Sequence, residues 1–83
     1  MPEIKLSSQA EKDFSKLPRN YQARILSKLT LIGKDPFLGK DLKGKLSGLR
    51  SLKVWPYRII YEIVNPKNLL WVHRIVHRQG AYK

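Results

Sequence analysis

The sequence predicts an α+β fold with the element order β-α-α-β-β-β, in which a helical hairpin packs on one face of a small, mostly antiparallel sheet. Three patterns predict it: a short alternating stretch at the N-terminus, apolar residues at helical spacing after it, and long β-rich runs near the C-terminus. A chain of 83 residues has room for one hydrophobic core. We therefore expect a single domain over residues 1–83.

The first strand and helix are indicated by alternation and by a capping pattern. Ile4 and Leu6 alternate with polar neighbours, which favours a strand over residues 2–6. The segment Ser8-Gln9-Ala10-Glu11 has the hydroxyl and the glutamate of a capping box and is expected to open a helix. That helix would carry Ala10, Phe14 and Leu17 on one stripe.

A second helix is predicted after Pro18, which suits the first position of a helix. Gly33 and Asp35-Pro36 are typical of its end. Its apolar residues recur at spacings of three and four, so the two helices should form a hairpin with one apolar seam. The seam residues are Tyr21, Ile25, Leu29 and Ile32, with Leu26 alongside.

The C-terminal half is predicted to be a meander of three strands. The glycine-rich, basic segment 37–48 is expected to be a flexible connection. Trp55-Pro56 and residues 65–68 are turn signals, which leaves strands over Leu49–Val54, Tyr57–Val64 and Leu69–His77.

Side-chain alternation then assigns the faces of the second-last strand. Ile59, Tyr61 and Ile63 share one face and look like core, while Arg58 and Glu62 lie on the other, helix-free face. For the last strand two alternatives stay open. Either Val72 and Val76 face the helices together with Arg74, or Trp71 and Ile75 do so together with His73 and His77.

The charge distribution indicates an anionic partner. The chain has 17 basic and 6 acidic residues, a formal net charge of +11. Residues 42–83 hold nine of the basic residues but only one acidic residue, Glu62. A one-sided basic surface is therefore expected, with a polyanion, an acidic protein or both as ligand.

The composition excludes several classes of protein. The absence of cysteine rules out disulfide scaffolds, zinc ribbons and thiol nucleophiles. No apolar run approaches the ~20 residues of a membrane helix, and no signal peptide is evident, so we expect a cytoplasmic protein without a membrane partner. His73 and His77 would lie about 13 Å apart on a strand, too far to share an ion. Neither a metal nor a cofactor is therefore expected.

The remaining chemistry is that of cations and phenols. Lys53, Arg58, Arg78 and Tyr82 are the candidate site, because guanidinium groups bind phosphate and phenols stack on bases or exchange protons. Such a cluster could bind RNA, or cleave it by activating a 2′-hydroxyl against the adjacent phosphodiester. Each of these residues could also be an ordinary solvated or packing residue. Spacing alone favours a basic nucleic-acid-binding domain over a nuclease.

The order of four segments adds a resemblance. Leu42-Lys43-Gly44, Gly48–Val54, Tyr57–Glu62 and Val76–Tyr82 follow one another as in the RelE/ParE toxin superfamily, which the chain resembles over nearly its whole length. The resemblance implies a RelE-like fold and a toxin of a type II toxin–antitoxin module. RelE-like toxins cut mRNA, often on the ribosome, by 2′-hydroxyl attack and without a metal, and so stop translation and growth.

The resemblance also implies a partner. A cognate antitoxin with an acidic, partly disordered segment would wrap the toxin, and the complex would bind operator DNA through the antitoxin.

The resemblance further implies roles for individual residues. Lys53 would be a base or a phosphate ligand, and Arg58 and Arg78 would stabilise phosphate charge. Tyr82 would stack on a base or exchange a proton, and His77 is a candidate acid or base. The RNA backbone would be held by Lys43, Lys45, Arg50 and Arg74.

One departure from the family pattern and one alternative branch stand beside this prediction. Ser51 occupies a position where many relatives carry arginine or lysine, which removes one cation from the site. The ParE branch shares the fold but poisons DNA gyrase. A non-catalytic RNA-binding module is the third possibility. The ribonuclease branch is favoured because His77, Arg78 and Tyr82 accompany Lys53 and Arg58.

Overall fold

A computed structural model describes residues 3–64 and 69–80. Within these ranges two helices pack on one face of a five-stranded sheet. The strands are β1 (Glu3–Leu6), β2 (Lys40–Asp41), β3 (Arg50–Val54), β4 (Tyr57–Val64) and β5 (Leu69–His77). The helices are α1 (Ser8–Ser15) and α2 (Arg19–Lys34), and single 3-10 turns occupy Gly44–Leu46 and Arg78–Gly80.

The strand order is β1-β5-β4-β3-β2, with β1 parallel to β5 and every other pair antiparallel. The predicted fold class is therefore confirmed. The flexible connection predicted over residues 37–48 is wrong at its centre, because Lys40 and Asp41 pair with Ser51 and Arg50 and form the edge strand β2. Two residues are too few for a periodic signal, and the pairing depends on β3.

Both helices begin close to the predicted positions and bury the predicted stripe. The cap of α1 is Ser7 rather than Ser8: its Oγ accepts from the Ala10 N–H at 3.0 Å and donates to the His73 carbonyl at 2.8 Å. Pro18 is the cap of α2 rather than its first residue. Ile25, Leu29 and Ile32 are buried as predicted, together with Ala10 of α1. Leu26 does not join the seam, since 54% of it is exposed.

A bulge decides the faces of β5. Ile60 pairs with Arg74 and Tyr61 pairs with Val72, so His73 is an extra residue in the ladder. The alternation therefore shifts at His73, and Val72 and Ile75 both belong to the core under the helices. Neither alternative for this strand is right over its whole length. The assignment of β4 is confirmed, with Ile59 and Tyr61 fully buried.

The end of α1 covers the edge of β5 where β1 has stopped. The Ile75 N–H, which lies beyond the pairing with β1, donates to Asp13 Oδ2 at 2.9 Å. Arg74 also donates to this carboxylate, through Nε at 2.8 Å and Nη2 at 3.2 Å. Burial alone would raise the pKa of Asp13, but these bonds and one from Gln9 outweigh it and hold the pKa below its usual value.

The loop between α2 and β2 is hydrogen-bonded to a buried tyrosine. Tyr61 Oη donates to the Pro36 carbonyl at 2.7 Å and accepts from the Gly39 N–H at 2.9 Å. Burial raises the pKa of Tyr61 despite the opposing effects of Gly39 and Arg50, so its hydroxyl keeps the proton it donates. A Cβ at position 39 would lie 2.6 Å from this oxygen, so any side chain larger than that of glycine would clash there.

Among the described residues no helix is long and apolar enough to span a bilayer.

We predict that Asp13→Asn lowers the free energy of unfolding by about 1–3 kcal/mol at pH 7, because it removes charge-assisted hydrogen bonds to a strand edge. The folded pKa of Asp13 lies below the unfolded value of about 3.9, so its stabilisation is present above that value and lost as pH falls through the folded pKa. Urea unfolding at pH 7 and pH 3 measures this. Asp41→Asn, at an exposed carboxylate, is the matched control. A cost for Asp13→Asn that is the same at both pH values would contradict the prediction.

We predict that Tyr61→Phe destabilises the protein by about 1–3 kcal/mol and speeds amide hydrogen exchange at Gly39, because two hydrogen bonds to the loop are lost. Tyr57→Phe is the control, since the Tyr57 hydroxyl has no hydrogen bond to any described residue. Unchanged exchange at Gly39 in the Tyr61 variant would show that the hydroxyl does not hold the loop.

Candidate functional site: a basic hollow on the open sheet face

Two cations face each other across β3 and β4. The connection Trp55–Pro56 sets the register of this hairpin so that Lys53 pairs directly with Arg58. Because their neighbours Val54 and Ile59 point into the core, both side chains lie on the face that the helices leave open. Lys53 is exposed and Arg58 is half-buried.

These two residues line a hollow with a volume of about 490 Å³. The β2 edge supplies a third cation, Lys40, which pairs with Ser51 and so stands beside the row formed by Lys53 and Arg58. None of the described residues that line the hollow is acidic. The lining also includes a serine and three leucines, of which Leu52 lies on the helix side of β3 and packs against the core: Lys40, Lys53, Arg58, Ser51, Leu38, Leu42 and Leu52.

Ser51 lies on β3 between Lys40 on one side and Ile60 on the other. It is only 7% exposed, and its Oγ has no hydrogen-bond partner among the described residues. The short side chain leaves room on this face that a longer one would fill. The departure from the family pattern at position 51 therefore coincides with the hollow, and a cation enters from the neighbouring strand.

Lys40 is the site residue that sequence reasoning missed. Its position depends on the pairing of β2 with β3, and on the loop that Tyr61 and Arg50 hold. A lysine in a glycine-rich connection carries no sign of that pairing. The sequence contains one sign of this pairing: Leu38, Lys40 and Leu42 are two residues apart, which is the spacing of residues on one face of a strand.

Arg78 lies at the hairpin end of the sheet and not among the residues that line the hollow. Its backbone N–H donates to the Pro56 carbonyl at 2.8 Å. Its guanidinium lies over the exposed Trp55 ring, 4.6 Å from the centroid, which is a cation–π contact. The predicted site residue Tyr82 lies outside the described residues.

His77 is placed on the other side of the sheet from the hollow. It pairs with Tyr57, and the two rings meet edge-on with centroids 5.5 Å apart. Tyr57 in turn packs edge-on against Tyr21 of α2, at 5.3 Å. The His77 Nδ1 accepts from the Gln79 N–H at 3.3 Å. His77 thus belongs to an aromatic row on the helix side, which the hollow does not reach.

The predicted RNA-binding cations are divided between surface and structure. Arg50 donates to the carbonyls of Gly39 and Phe37, at 3.1 and 3.2 Å, and lies over the Phe37 ring. Arg74 is held by Asp13, as described above. Lys43 and Lys45 are exposed near the 3-10 turn, and Lys43 Nζ is 3.8 Å from an Asp41 oxygen. Arg50 and Arg74 thus have structural partners, while Lys43 and Lys45 remain on the surface.

The chemistry of the hollow is that of an anion site. Three cations without a lining carboxylate attract negative charge, and a guanidinium can hold two oxygens of one phosphate. Within the described ranges no three histidine, cysteine, aspartate or glutamate side chains come together as metal ligands.

The chain is similar to known toxins in sequence and in fold. A family model described as the ParE toxin of type II toxin-antitoxin system, parDE, matches residues 4–82. No curated protein matches the chain by sequence.

Solved structures share the fold closely. A chain of the toxin-antitoxin complex RelBE2 from Mycobacterium tuberculosis superposes with a TM-score of 0.86 at 26% identity, covering 94% of this chain and 100% of that one. A chain of the intact Escherichia coli RelBE complex gives a TM-score of 0.81 at 16% identity, covering 93% and 96%. The YoeB/ParE toxin from Agrobacterium tumefaciens gives 0.80 at 17%, covering 90% and 96%.

The last two structures show only that the fold is shared. The family model matches almost the entire sequence and therefore assigns the family. The chain belongs to the ParE toxin family of type II toxin–antitoxin systems, within the RelE/ParE superfamily.

Proposed function

We propose that the protein is a metal-independent endoribonuclease that cuts mRNA on the ribosome and so inhibits translation. The observation that carries this proposal is the Lys53–Arg58 pair, which lines a basic hollow on the open face with no acidic lining residue among those described. A hollow of this kind fits a phosphodiester. The cytoplasm, where mRNA is translated, is the matching location.

The proposed reaction is an internal transesterification. The 2′-oxygen of one nucleotide gives its proton to a general base and attacks the adjacent phosphorus. The bond from phosphorus to the 5′-oxygen of the next nucleotide breaks, and that oxygen takes up a proton from a general acid. The products are a 2′,3′-cyclic phosphate and a free 5′-hydroxyl, so no water molecule is consumed in this step. The protein has to stabilise the extra negative charge that gathers on the phosphate oxygens.

Arg58 and Lys53 are the residues we assign to that charge. Arg58 is half-buried, so its fork-shaped guanidinium starts from a restricted position and can hold two phosphate oxygens. Lys53, directly opposite, contributes a second positive charge. Arg78 would approach from the hairpin end on its Trp55 support. We keep Tyr82 as the candidate for stacking or proton transfer, whereas His77 would have to act from the far side of the sheet.

A second candidate function is poisoning of DNA gyrase. The specific observation in its favour is the family model, whose description names the ParE toxin. The separation of His77 from the hollow also removes one candidate acid or base from the ribonuclease site. A gyrase poison would use the basic face for contact with a protein–DNA complex and would need no transesterification.

We predict that Arg58→Ala lowers the rate of mRNA cleavage about a hundredfold, because it removes a charge that acts on the transition state. The measurement is the mapping of new 5′ ends on an mRNA in a purified translation system. Arg19→Ala is the matched control, an exposed arginine at the start of α2 on the other side of the sheet, and should cut at the normal rate.

The same preparation separates the two candidates. Gyrase with supercoiled plasmid is treated with the protein, and linear DNA is scored beside the mRNA ends. Linear plasmid with intact mRNA would overturn the ribonuclease proposal and support the gyrase candidate. Cut mRNA with intact plasmid is the expected result.

We also propose that an acidic, partly disordered antitoxin segment covers the open face. Structural neighbours are described as toxin-antitoxin complexes, including an archaeal RelE-RelB complex from Pyrococcus horikoshii. The cations of the hollow attract acidic residues, and exposed Leu38 offers an apolar contact next to them.

We predict that the complex isolated from the native operon contains this second chain and binds operator DNA through it. The Lys53→Gln and Arg58→Gln double variant should bind the second chain at least tenfold more weakly, because its acidic segment loses two charges. Isothermal titration with the purified second chain measures this. Equal affinity would place the contact elsewhere.

A further inference from the structure

We propose that Lys40 and Ser51 form a second phosphate subsite beside the Lys53–Arg58 pair, so that the hollow holds two neighbouring phosphates of one single-stranded RNA. This inference rests on the proposed function for the identity of its ligand. It assigns to Lys40 and Ser51 a role in substrate binding that the Lys53–Arg58 pair does not fill.

The positions of the cations support two subsites rather than one. Lys53 and Arg58 form one row across the sheet, and Lys40 and Ser51 form the next row on the same face. Rows on one face are two residues apart, about 6–7 Å along the strands. That separation is comparable with the spacing of consecutive phosphates in a polynucleotide. One phosphate at each row would place the RNA backbone along β3.

Ser51 supplies the independent observation. A hydroxyl that is buried without a hydrogen-bond partner costs free energy, and such groups call for an explanation. The Ser51 Oγ is covered in the free protein, so a phosphate held by the charge of Lys40 would accept its proton once the side chains over it move aside. The Ser51 hydroxyl would thus be paired in the complex, whereas it has no partner among the described residues of the free protein.

Lys40 is held in a way that suits a binding residue. Its loop is fixed by Tyr61 through Gly39 and Pro36, and by Arg50 through the Gly39 carbonyl. The backbone at position 40 is therefore ordered by the core, while the lysine side chain is exposed. The entropy cost of ordering this segment on RNA binding is therefore smaller.

The test is the binding of a five-nucleotide single-stranded RNA in which every ribose is 2′-O-methylated, so that it cannot be cut. Fluorescence anisotropy is measured over a range of salt concentrations. Lys40→Gln should bind about tenfold more weakly at low salt. Its plot of log affinity against log salt should be less steep by about 0.7, the value for one lost contact to a single strand. Lys5→Gln is the matched control, an exposed lysine on the opposite edge of the sheet.

Ser51→Ala gives the second measurement. It should raise the melting temperature of the free protein, because an unpartnered buried hydroxyl is removed, and at the same time weaken RNA binding about threefold. A residue with a purely structural role would not move these two quantities in opposite directions. A lowered melting temperature with unchanged affinity would overturn the subsite.

The outcomes distinguish the subsite from the nuclease. RNA binding that depends on Lys40, together with uncut mRNA in the translation system, would retain the subsite and reject the nuclease. Cut mRNA, together with equal binding by Lys40→Gln and Lys5→Gln, would retain the nuclease and reject the subsite. Failure of the unmodified protein to bind the RNA at all would also reject the subsite.

Discussion

Two like charges held directly opposite each other on the sheet are the constraint that determines what the open face can bind. Like charges directly opposite each other destabilise a strand pair. The register of the β3–β4 hairpin nevertheless places Lys53 against Arg58, and Lys40 lines the same hollow. An anion between these side chains would convert the repulsion into attraction. An anionic partner bound between these side chains would therefore stabilise the protein.

The core and the hollow are connected through one side chain. Tyr61 lies in the middle of β4, fully buried under the helices, and its hydroxyl reaches the loop that leads into β2. Arg50 binds the same loop from β3. Two residues of the central hairpin thus fix the backbone that presents Lys40 to the open face. The same two strands therefore determine both the packing under the helices and the position of Lys40 on the opposite face.

Alternation predicted the sheet well where the ladder is regular. The face of Arg58 and the core positions Ile59 and Tyr61 follow from the period of two, and these needed no tertiary information. The same rule fails in β5, because the extra residue His73 shifts the alternation within the strand. A bulge has no reliable sign in a single sequence, since it arises from the pairing of two strands.

The site was predictable in part for the same reason. Lys53 and Arg58 flank a short connection, so their pairing follows from local sequence. The structural roles of Arg50 and Arg74 do not follow from local sequence, because their partners lie in the loop after α2 and in α1. The count of basic residues in the C-terminal half overestimates the charge that is free to meet a ligand. Contacts between residues that are distant in the sequence determine which cations have structural partners and which face the solvent.

The buried hydroxyl of Ser51 costs stability at the place where we propose that a ligand binds. A buried hydroxyl without a partner is unfavourable, and alanine would fit the same space without that cost. A large cation at this position would instead fill the hollow beside Lys40. Serine is shorter than a lysine or arginine and keeps a hydroxyl donor beneath the lining, while the charge comes from Lys40 on the edge strand. Position 51 thus removes a cation from the site predicted by the sequence, and in the fold it lies beside Lys40 in the hollow where we propose that a phosphate binds.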